Sequence, residues 1–282
     1  MRLRSLRAFI FLSVALLSLR LYAQDADSDP KLSKAAVEAA EARTKKIQQE
    51  IRGLRNHEWA GEYFFGDGLG VNVTLTLAPQ NGFVFTWYGC LGLYDQNYGD
   101  VTFTQGTVKL LFTYPNKRGG FQGIAPELMP VRWGQRHYLI PVDGMLPFTN
   151  AINSGMEGGK LFGGRSAYFL LRKGDENKAP EGLPSVPSEY LSYILKKPIT
   201  AKISSVTASQ EGKSKRTTRV TLNVGSADGL RKGMELFVKH PGRIYAEVDV
   251  TDVSEHWSSA VIEQDLLSDP VPAPGWIFST KL

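Results

Sequence analysis

Residues 220–238 read VTLNVGSADGLRKGMELFV, a stretch in which two apolar runs flank a block of Gly, Ser, Asp and basic residues. The alternation from Val220 to Val224 predicts a strand with one face on a core, and Met234 to Val238 predicts a second strand. Between them, Gly225 and Gly229 are expected to take positive φ, and Asp228 is expected to bond to the turn backbone. Each residue of the block has a turn-forming explanation, which favours a fold signature over a binding site.

The spacing from Asn223 to Met234, N-x-G-x-x-D-G-L-x-x-G-M, resembles a signature of small β-barrel modules in bacterial envelope proteins. Those modules occur in the rod-shape-determining scaffold family and in the C-terminal domain of flagellar assembly protein T. The chain then continues as those families do, with a Gly-containing turn, an alternating valine strand at 246–253 and a Ser-plus-apolar strand at 258–262. The resemblance covers residues 199–282. It implies a small barrel and an envelope setting, with binding or assembly rather than an active site.

Residues 59–173 contain further short alternating runs separated by Gly, Asn, Asp and Pro, and most of the aromatic residues of the chain. Such runs predict an antiparallel sandwich or barrel. The expected fold is therefore mainly β, with two antiparallel β-sandwich or barrel domains preceded by one N-terminal α-helix. A Pro-rich linker with a short helix is expected at 174–198, between the domains at 59–173 and 199–282.

Residues 1–23 have the order of a secretory signal peptide, with a basic start, a short apolar run and a small residue before a polar segment. The apolar run is shorter than a membrane span, and Arg20 interrupts it. An uncleaved anchor is the alternative, and membrane contact is expected only in that case. We therefore expect an exported protein, most readily one of the bacterial periplasm.

The formal charge of +5 falls to +1 without the four arginines of this leader, and the later segments are nearly balanced. No concentrated basic block remains, so nucleic acid is not expected as a partner. The single cysteine, Cys90, excludes an internal disulfide framework and is expected to be a small buried hydrophobe, with intermolecular pairing or a reactive thiol as alternatives.

Residues 24–31 are polar and expected to be flexible, whereas 32–56 are rich in helix formers with apolar residues spaced by three and four. This pattern predicts an amphipathic helix packed on the following domain. A homodimer through helix 32–56 is the alternative, because the same spacing forms a coiled-coil seam.

Trp59-Ala-Gly-Glu-Tyr63 resembles the W-x-G-x-Y start of lipocalin-like and avidin-like barrels, where the Trp plugs one end. If the aromatic domain encloses a cavity, its wall candidates are Trp59, Tyr63, Trp87, Tyr94 and Trp133. Arg132 and Arg136 lie beside Trp133 and could hold an anion or a sugar, since Arg supplies planar donors. The alternative for 132–138 is an amphipathic strand with solvated arginine heads.

Two further segments lack a strand pattern. Asp95 to Asp100 has the oxygen-rich look of a calcium loop without its spacing, which predicts a turn. Gly144 to Gly164 is expected to be a long loop.

The chain contains no GxSxG, HExxH, CxxC, P-loop or GxGxxG motif, and its four histidines have no partner at metal-ligand spacing. We therefore expect neither catalysis nor a cofactor. The leading hypothesis is an exported, non-enzymatic protein that binds other envelope proteins. The alternative is a small-ligand barrel for an apolar or aromatic molecule or a sugar.

Overall fold

The computed structural model describes residues 29–66, 68, 70–155, 169–238, 247–266 and 270–282. It confirms the expected fold class: two closed antiparallel β-barrels with an α-helix before the first. The predicted signal peptide at 1–23 and the end of the predicted loop at 144–164 lie outside these residues. Among the described residues, no helix combines the length and apolar character needed to cross a bilayer.

Helix α1 spans Lys34–Gly53 and begins at Ser33, whose Oγ accepts a hydrogen bond from the Ala36 backbone N. Its most buried residues share one face and are Ala36, Ala40 and Ile47. Arg43 and Glu50 bond from this helix to the first barrel, at Gly99 O (2.5 Å) and Asn81 N (3.0 Å). The helix thus packs within its own chain, and the homodimer stays a prediction.

The segment before α1 is more ordered than its polar composition predicts. Pro30–Leu32 forms a 3-10 helix, and Asp29 caps it by accepting a hydrogen bond from Lys31 N. The Lys31 side chain is buried beside Asp95. The prediction of a flexible segment is therefore wrong for the described residues from Asp29, because a buried carboxylate far along the chain holds Lys31.

The first barrel has eight strands in chain order, and β8 pairs with β1 to close it. The strands are β1 Gly61–Phe65, β2 Asn72–Ala78, β3 Gly82–Gly89, β4 Gly92–Thr104, β5 Thr107–Phe112, β6 Glu127–Trp133, β7 Arg136–Pro141 and β8 Leu170–Arg172. Inward residues pair across β2 and β3 as Val73–Trp87, Leu75–Phe85 and Leu77–Phe83. All six are buried, so this part of the interior is packed with large side chains.

Asp95 to Asp100 lies inside β4, so its interpretation as a turn is wrong. The polar residues are tolerated because each has specific partners. Asn97 donates from Nδ2 to Tyr114 O and accepts from the backbone N of Tyr98 and Tyr114. Buried polar groups need hydrogen-bond partners, and a partner such as Tyr114, 17 residues away, cannot be inferred from local composition.

After β7 the chain forms a 3-10 helix, Val142–Gly144, and helix α2, Met145–Ser154. The expectation of a loop from Gly144 is therefore wrong up to Ser154. Gly155 ends the helix in the left-handed conformation. The linker helix α3 is one turn long, Ser188–Leu191.

The second barrel has six strands, and their order around it is β10-β13-β12-β11-β14-β9. The strands are β9 Thr200–Glu211, β10 Lys215–Leu222, β11 Glu235–Val238, β12 Glu247–Val253, β13 Ser258–Asp265 and β14 Ile277–Ser279. Apolar residues from every strand form its core, among them Ile203, Leu222, Leu236, Val248, Ile262 and Phe278.

The turn block between β10 and β11 forms as the signature predicts, with one correction. Gly229 is left-handed (φ 89°), and Asp228 Oδ2 accepts a hydrogen bond from Gly225 N at 2.9 Å. Gly225, however, has φ −144°, so the expected positive φ is wrong there. A Cβ on Gly225 would lie 2.4 Å from Ser254 O and 2.5 Å from Glu255 O, so close approach of two backbone segments demands this glycine.

The described chain divides into two compact units. The first comprises the chain up to Pro130 with Arg136–Leu139 and Leu170–Ala179. The second comprises Val131–Gln135, Ile140–Phe169 and Pro180–Leu282. The tip of the β6–β7 hairpin and helix α2 therefore cluster with the second unit, although the strands of that hairpin belong to the first barrel.

Candidate functional site

Two wall candidates, Trp59 and Tyr63, lie together at the start of β1. Both are buried, and the Tyr63 hydroxyl donates a hydrogen bond to Trp59 O at 3.0 Å. The Trp59 ring contacts the rings of His57 and Phe103, with centroids 5.0 and 5.8 Å away. Trp59 is thus packed among neighbours at the start of β1, and the W-x-G-x-Y resemblance stays a prediction.

Arg172 completes this end of the barrel, and sequence reasoning did not single it out. Its guanidinium lies 5.4 Å from the centre of the Tyr63 ring and donates to His57 O and Glu58 O. A Cβ on Gly61 would lie 3.1 Å from Arg172 Nε, so the central glycine of W-x-G-x-Y leaves room for it. Burial raises the pKa of Tyr63 to about 12, although Arg172 opposes the shift.

Trp87 and Tyr94 lie toward the other end of the barrel. Successive pairings place Gly61, Leu77, Phe83 and Gly99 in one row, and Phe65, Val73, Trp87 and Asp95 in another. Trp87 is buried and meets Phe121 edge-on at 6.1 Å, and Tyr94 stacks on Phe121 at 5.5 Å. The structure therefore brings Trp87 and Tyr94 together, apart from Trp59.

Arg132 and Trp133 have contacts within the second unit that give them a structural role. Arg132 N donates to Ser185 Oγ at 2.8 Å, and Arg132 Nε donates to Gly134 O at 3.0 Å. Trp133 Nε1 donates to Gly182 O at 2.9 Å, and its ring meets Phe148 of α2 edge-on. These bonds tie the hairpin tip to the linker and occupy Arg132 Nε and Trp133 Nε1, while the Arg132 side chain stays exposed.

Arg136 is buried in the first unit, so a solvated head is wrong for it. Its guanidinium donates to the carbonyls of Lys178 and Glu176 and to the Tyr138 hydroxyl. The single amphipathic strand expected at 132–138 is a hairpin that turns at Gly134, where φ is 58°. Only Arg132 has the exposed side chain expected there.

His137, Asp175 and Lys178 form a cluster of titratable side chains in the first unit. Asp175 Oδ2 accepts from His137 N and contacts His137 Nδ1, both at 2.8 Å, while Oδ1 pairs with Lys178 Nζ at 2.5 Å. Burial raises the pKa of Asp175, but the hydrogen bonds from Lys178 and His137 outweigh it and hold the pKa below its ordinary value. His137, near the start of β7, engages Oδ2 of Asp175. Lys178, three residues after Asp175, engages Oδ1. The group thus acts as a clamp.

An exposed apolar surface lies where β3 turns into β4, close to Phe121. We name it the mouth patch and define it as Tyr88, Leu91, Tyr94 and Phe121. The exposed fractions are 76% for Leu91, 55% for Phe121 and 48% for Tyr88. Cys90 adjoins Leu91 and is exposed, so the expectation of a buried cysteine is wrong.

The second barrel carries a strand edge that its closure does not cover. Strand β14 pairs with β9 only over Thr200–Lys202. The Ile203 backbone then donates a hydrogen bond to Trp276 O and accepts one from Gly275 N. Beyond Ile203, among the described residues, β9 has its ladder partners on β10 alone. Residues 204–211 are all exposed. The β9–β10 hairpin therefore extends past the barrel with one side of β9 open.

Within the described residues, no group of three His, Cys, Asp or Glu side chains could hold a metal ion. Comparisons with protein-family models, with curated proteins and with solved structures find no match to this chain.

Proposed function

We propose that this protein is an exported, non-enzymatic protein of the bacterial envelope that binds another protein through the open edge of β9. The edge from Ser204 to Glu211 is the observation that carries this proposal. Among the described residues, the side of this edge away from β10 has no ladder partner, so an extended segment could add there as a further strand.

The composition of this edge supports the proposal. Natural edge strands are protected by lysine, proline, bulges or inward charges. From Ser204 to Gln210, the strand has no charged residue and no proline. It does contain register irregularities opposite Arg219–Val220 and Thr221–Leu222, which increase local twist and limit the partners that fit.

The base of the β9–β10 hairpin is anchored in the core of the second barrel. Ile203, Val220 and Leu222 are buried where the hairpin joins the barrel. The leader-like order of residues 1–23 and the resemblance of the turn block to envelope modules support the compartment. The ligand-barrel alternative has less support, because Trp59, Tyr63 and Trp87 are buried in ring and hydrogen-bond contacts.

Photo-crosslinking in living cells tests the proposal, with the crosslinking residue placed at Ala208 on the edge. The control position is Thr104, an exposed residue near the end of β4 in the other barrel. We expect a discrete crosslinked protein from position 208 in the periplasmic fraction and none from 104.

With the crosslinking residue kept at position 208, Val206→Lys should abolish capture of that partner, because edge lysines oppose strand addition. Thr104→Lys should leave capture unchanged. Equal capture from positions 104 and 208, or none from 208, would rule out β9 as the binding edge. Recovery of the protein with Met1 intact in a membrane fraction would overturn the export of a cleaved form.

A further inference from the structure

The mouth patch of the first barrel is a different surface from the β9 edge, and its chemistry points to another kind of partner. Cys90 and Leu91 are the two turn residues between Gly89 and Gly92, which pair at the end of the β3–β4 hairpin. Tight turns favour Gly, Asn, Asp, Ser and Pro, so an apolar leucine at the tip has no turn-forming explanation.

Phe121 belongs to the neighbouring loop and is fixed beside this hairpin. Gly123 N donates to the buried Asp95 carboxylate at 2.6 Å, and Phe121 stacks on Tyr94. The Tyr94 ring in turn covers Gly89, where a Cβ would lie 2.0 Å from a ring carbon. The loop and the hairpin are thus held together, and each presents an apolar residue outward.

The loop that holds Phe121 places two cations beside the mouth patch. The loop Thr113 to Gly123 contains Lys117 and Arg118, and both residues are exposed. Neither this loop nor the hairpin from Tyr88 to Tyr94 contains an acidic residue. Outward apolar and tyrosine side chains next to cations are the composition of surfaces that bind anionic lipid headgroups.

We propose that the mouth patch docks the first barrel onto an anionic lipid membrane surface. Leu91 and Phe121 enter the headgroup region, because burying their exposed carbon surface removes it from water. Tyr88 lies at the interface with an apolar ring and a polar hydroxyl, and Lys117 meets lipid phosphates. This contact requires no membrane-spanning segment and does not depend on a partner at β9.

A vesicle sedimentation assay tests this proposal on the exported protein, with its N-terminus established by mass spectrometry. One set of vesicles contains phosphatidylglycerol and phosphatidylcholine in equal amounts, and the other contains phosphatidylcholine alone. We expect binding to the first set, a marked loss of binding at high salt, and weak binding to the second set.

The variants Leu91→Ser and Phe121→Ser should each weaken binding by about tenfold, because each removes one apolar contact with the lipid. Lys117→Gln should weaken it by about fivefold through loss of one cation near the surface. Leu183→Ser is the matched control, since Leu183 is an exposed leucine (69%) in the linker. Thermal melting of each variant checks that the barrels remain folded.

A fluorophore on Cys90, the only cysteine, gives a second readout at the patch itself. Its emission should shift to the blue on phosphatidylglycerol vesicles. Failure to bind these vesicles, equal binding to both sets, or equal loss in Leu183→Ser would each overturn the proposal. It would also be overturned if a photo-crosslinking residue at position 91 captured a protein in cells while the wild type did not bind the vesicles. None of these results bears on crosslinking at position 208, so the two proposals fail separately.

Discussion

Lys31 Nζ lies 2.6 Å from Asp95 Oδ1, and only 7% and 2% of the two side chains are exposed. This buried ion pair joins the 3-10 helix before α1 to the inner part of strand β4. Gln96, the next residue of β4, donates from Nε2 to the Lys31 carbonyl at 2.5 Å. Lys31 thus holds the N-terminal segment on the first barrel through its side-chain charge and through its backbone carbonyl.

Removing one partner of this pair should destabilise the first barrel. Lys31→Met leaves the Asp95 carboxylate buried with Gly123 N as its remaining donor, and we expect a loss of about 3 kcal/mol in unfolding free energy. The double variant Lys31→Met/Asp95→Leu should lose less than the sum of the single variants, because it leaves no buried charge.

Chemical denaturation followed by tryptophan fluorescence measures these changes. Lys34→Met is the matched control, because Lys34 is exposed and pairs with Glu38 at 3.9 Å on the surface of α1. That variant should change stability by less than about 0.5 kcal/mol. A loss in Lys31→Met no greater than that in Lys34→Met would show that the pair contributes little.

We expect the protein to lose stability at alkaline pH through ionisation of the Tyr63 hydroxyl. Its pKa is raised by burial from an ordinary value of 10.0 to about 12 in the folded protein. A raised pKa gives a contribution that is complete below pH 10 and is lost as pH rises toward about 12. In that window, the wild type should lose stability faster than Tyr63→Phe, which has no hydroxyl to ionise.

At neutral pH, the same Tyr63→Phe variant should be less stable by about 1 kcal/mol, because Trp59 O and Arg172 lose a hydrogen-bond partner. Denaturation midpoints at a series of pH values, with tyrosinate absorbance as a second probe, measure both effects. Parallel pH profiles for the two proteins between pH 10 and 12 would contradict the assignment.

The Asp175 clamp predicts the opposite dependence at acid pH. Its pKa lies below the ordinary value of 3.8, because hydrogen bonds from Lys178 and His137 outweigh the effect of burial. A lowered pKa gives a contribution that is present above about pH 4 and lost as pH falls through the folded pKa. The stability difference between wild type and Asp175→Asn should therefore be largest near neutral pH and shrink below pH 3.8.

Acid titration of thermal melting temperatures measures this difference. Glu41→Gln serves as a comparison, because Glu41 is an exposed carboxylate on α1. If the melting temperature of Asp175→Asn lay below that of the wild type by the same amount at every pH, the charge of Asp175 would not contribute to the stability of the clamp.

Replacing a glycine by alanine should lower the free energy of unfolding by an amount that depends on what the added Cβ meets and on φ. Gly225→Ala should cost about 3 kcal/mol, because its Cβ meets two backbone carbonyls that cannot move aside cheaply. Gly229→Ala should cost about 1 kcal/mol through its left-handed φ of 89°, with only distant contacts. Gly53→Ala, at the end of α1 with open space around it, should not destabilise. Denaturation midpoints of the three variants measure the order, and a larger loss at Gly229 than at Gly225 would reverse the argument.

Local chemistry let the sequence predict the main elements of the fold. Alternation along β2, β5 and β10 marks strands, because the side chains of a strand point to opposite faces in turn. The helix-forming composition and three-four spacing of 32–56 likewise mark α1 and its buried face. Asp228 and Gly229 mark the turn before β11, because the bonds and dihedral angles that define it are made within a few residues.

The candidate site was less predictable, because it depends on contacts between distant residues. Trp59, Tyr63 and Trp87 were recognised as aromatic, but only the pairing of strands shows that they are buried toward different ends of one barrel. Arg172 was missed, since nothing near it in the chain indicates that it covers Tyr63.

By itself, the sequence determined two antiparallel β domains, a preceding helix and the turn that begins β11, because each follows from periodicity and turn chemistry within short segments. Only the tertiary structure decided that Asp95 is buried, that Cys90 and Leu91 are exposed, and that β9 keeps an open edge. The physical reason is that burial of a polar group requires a partner such as Lys31 from far along the chain. Exposure of an apolar group likewise depends on whether any distant segment covers it.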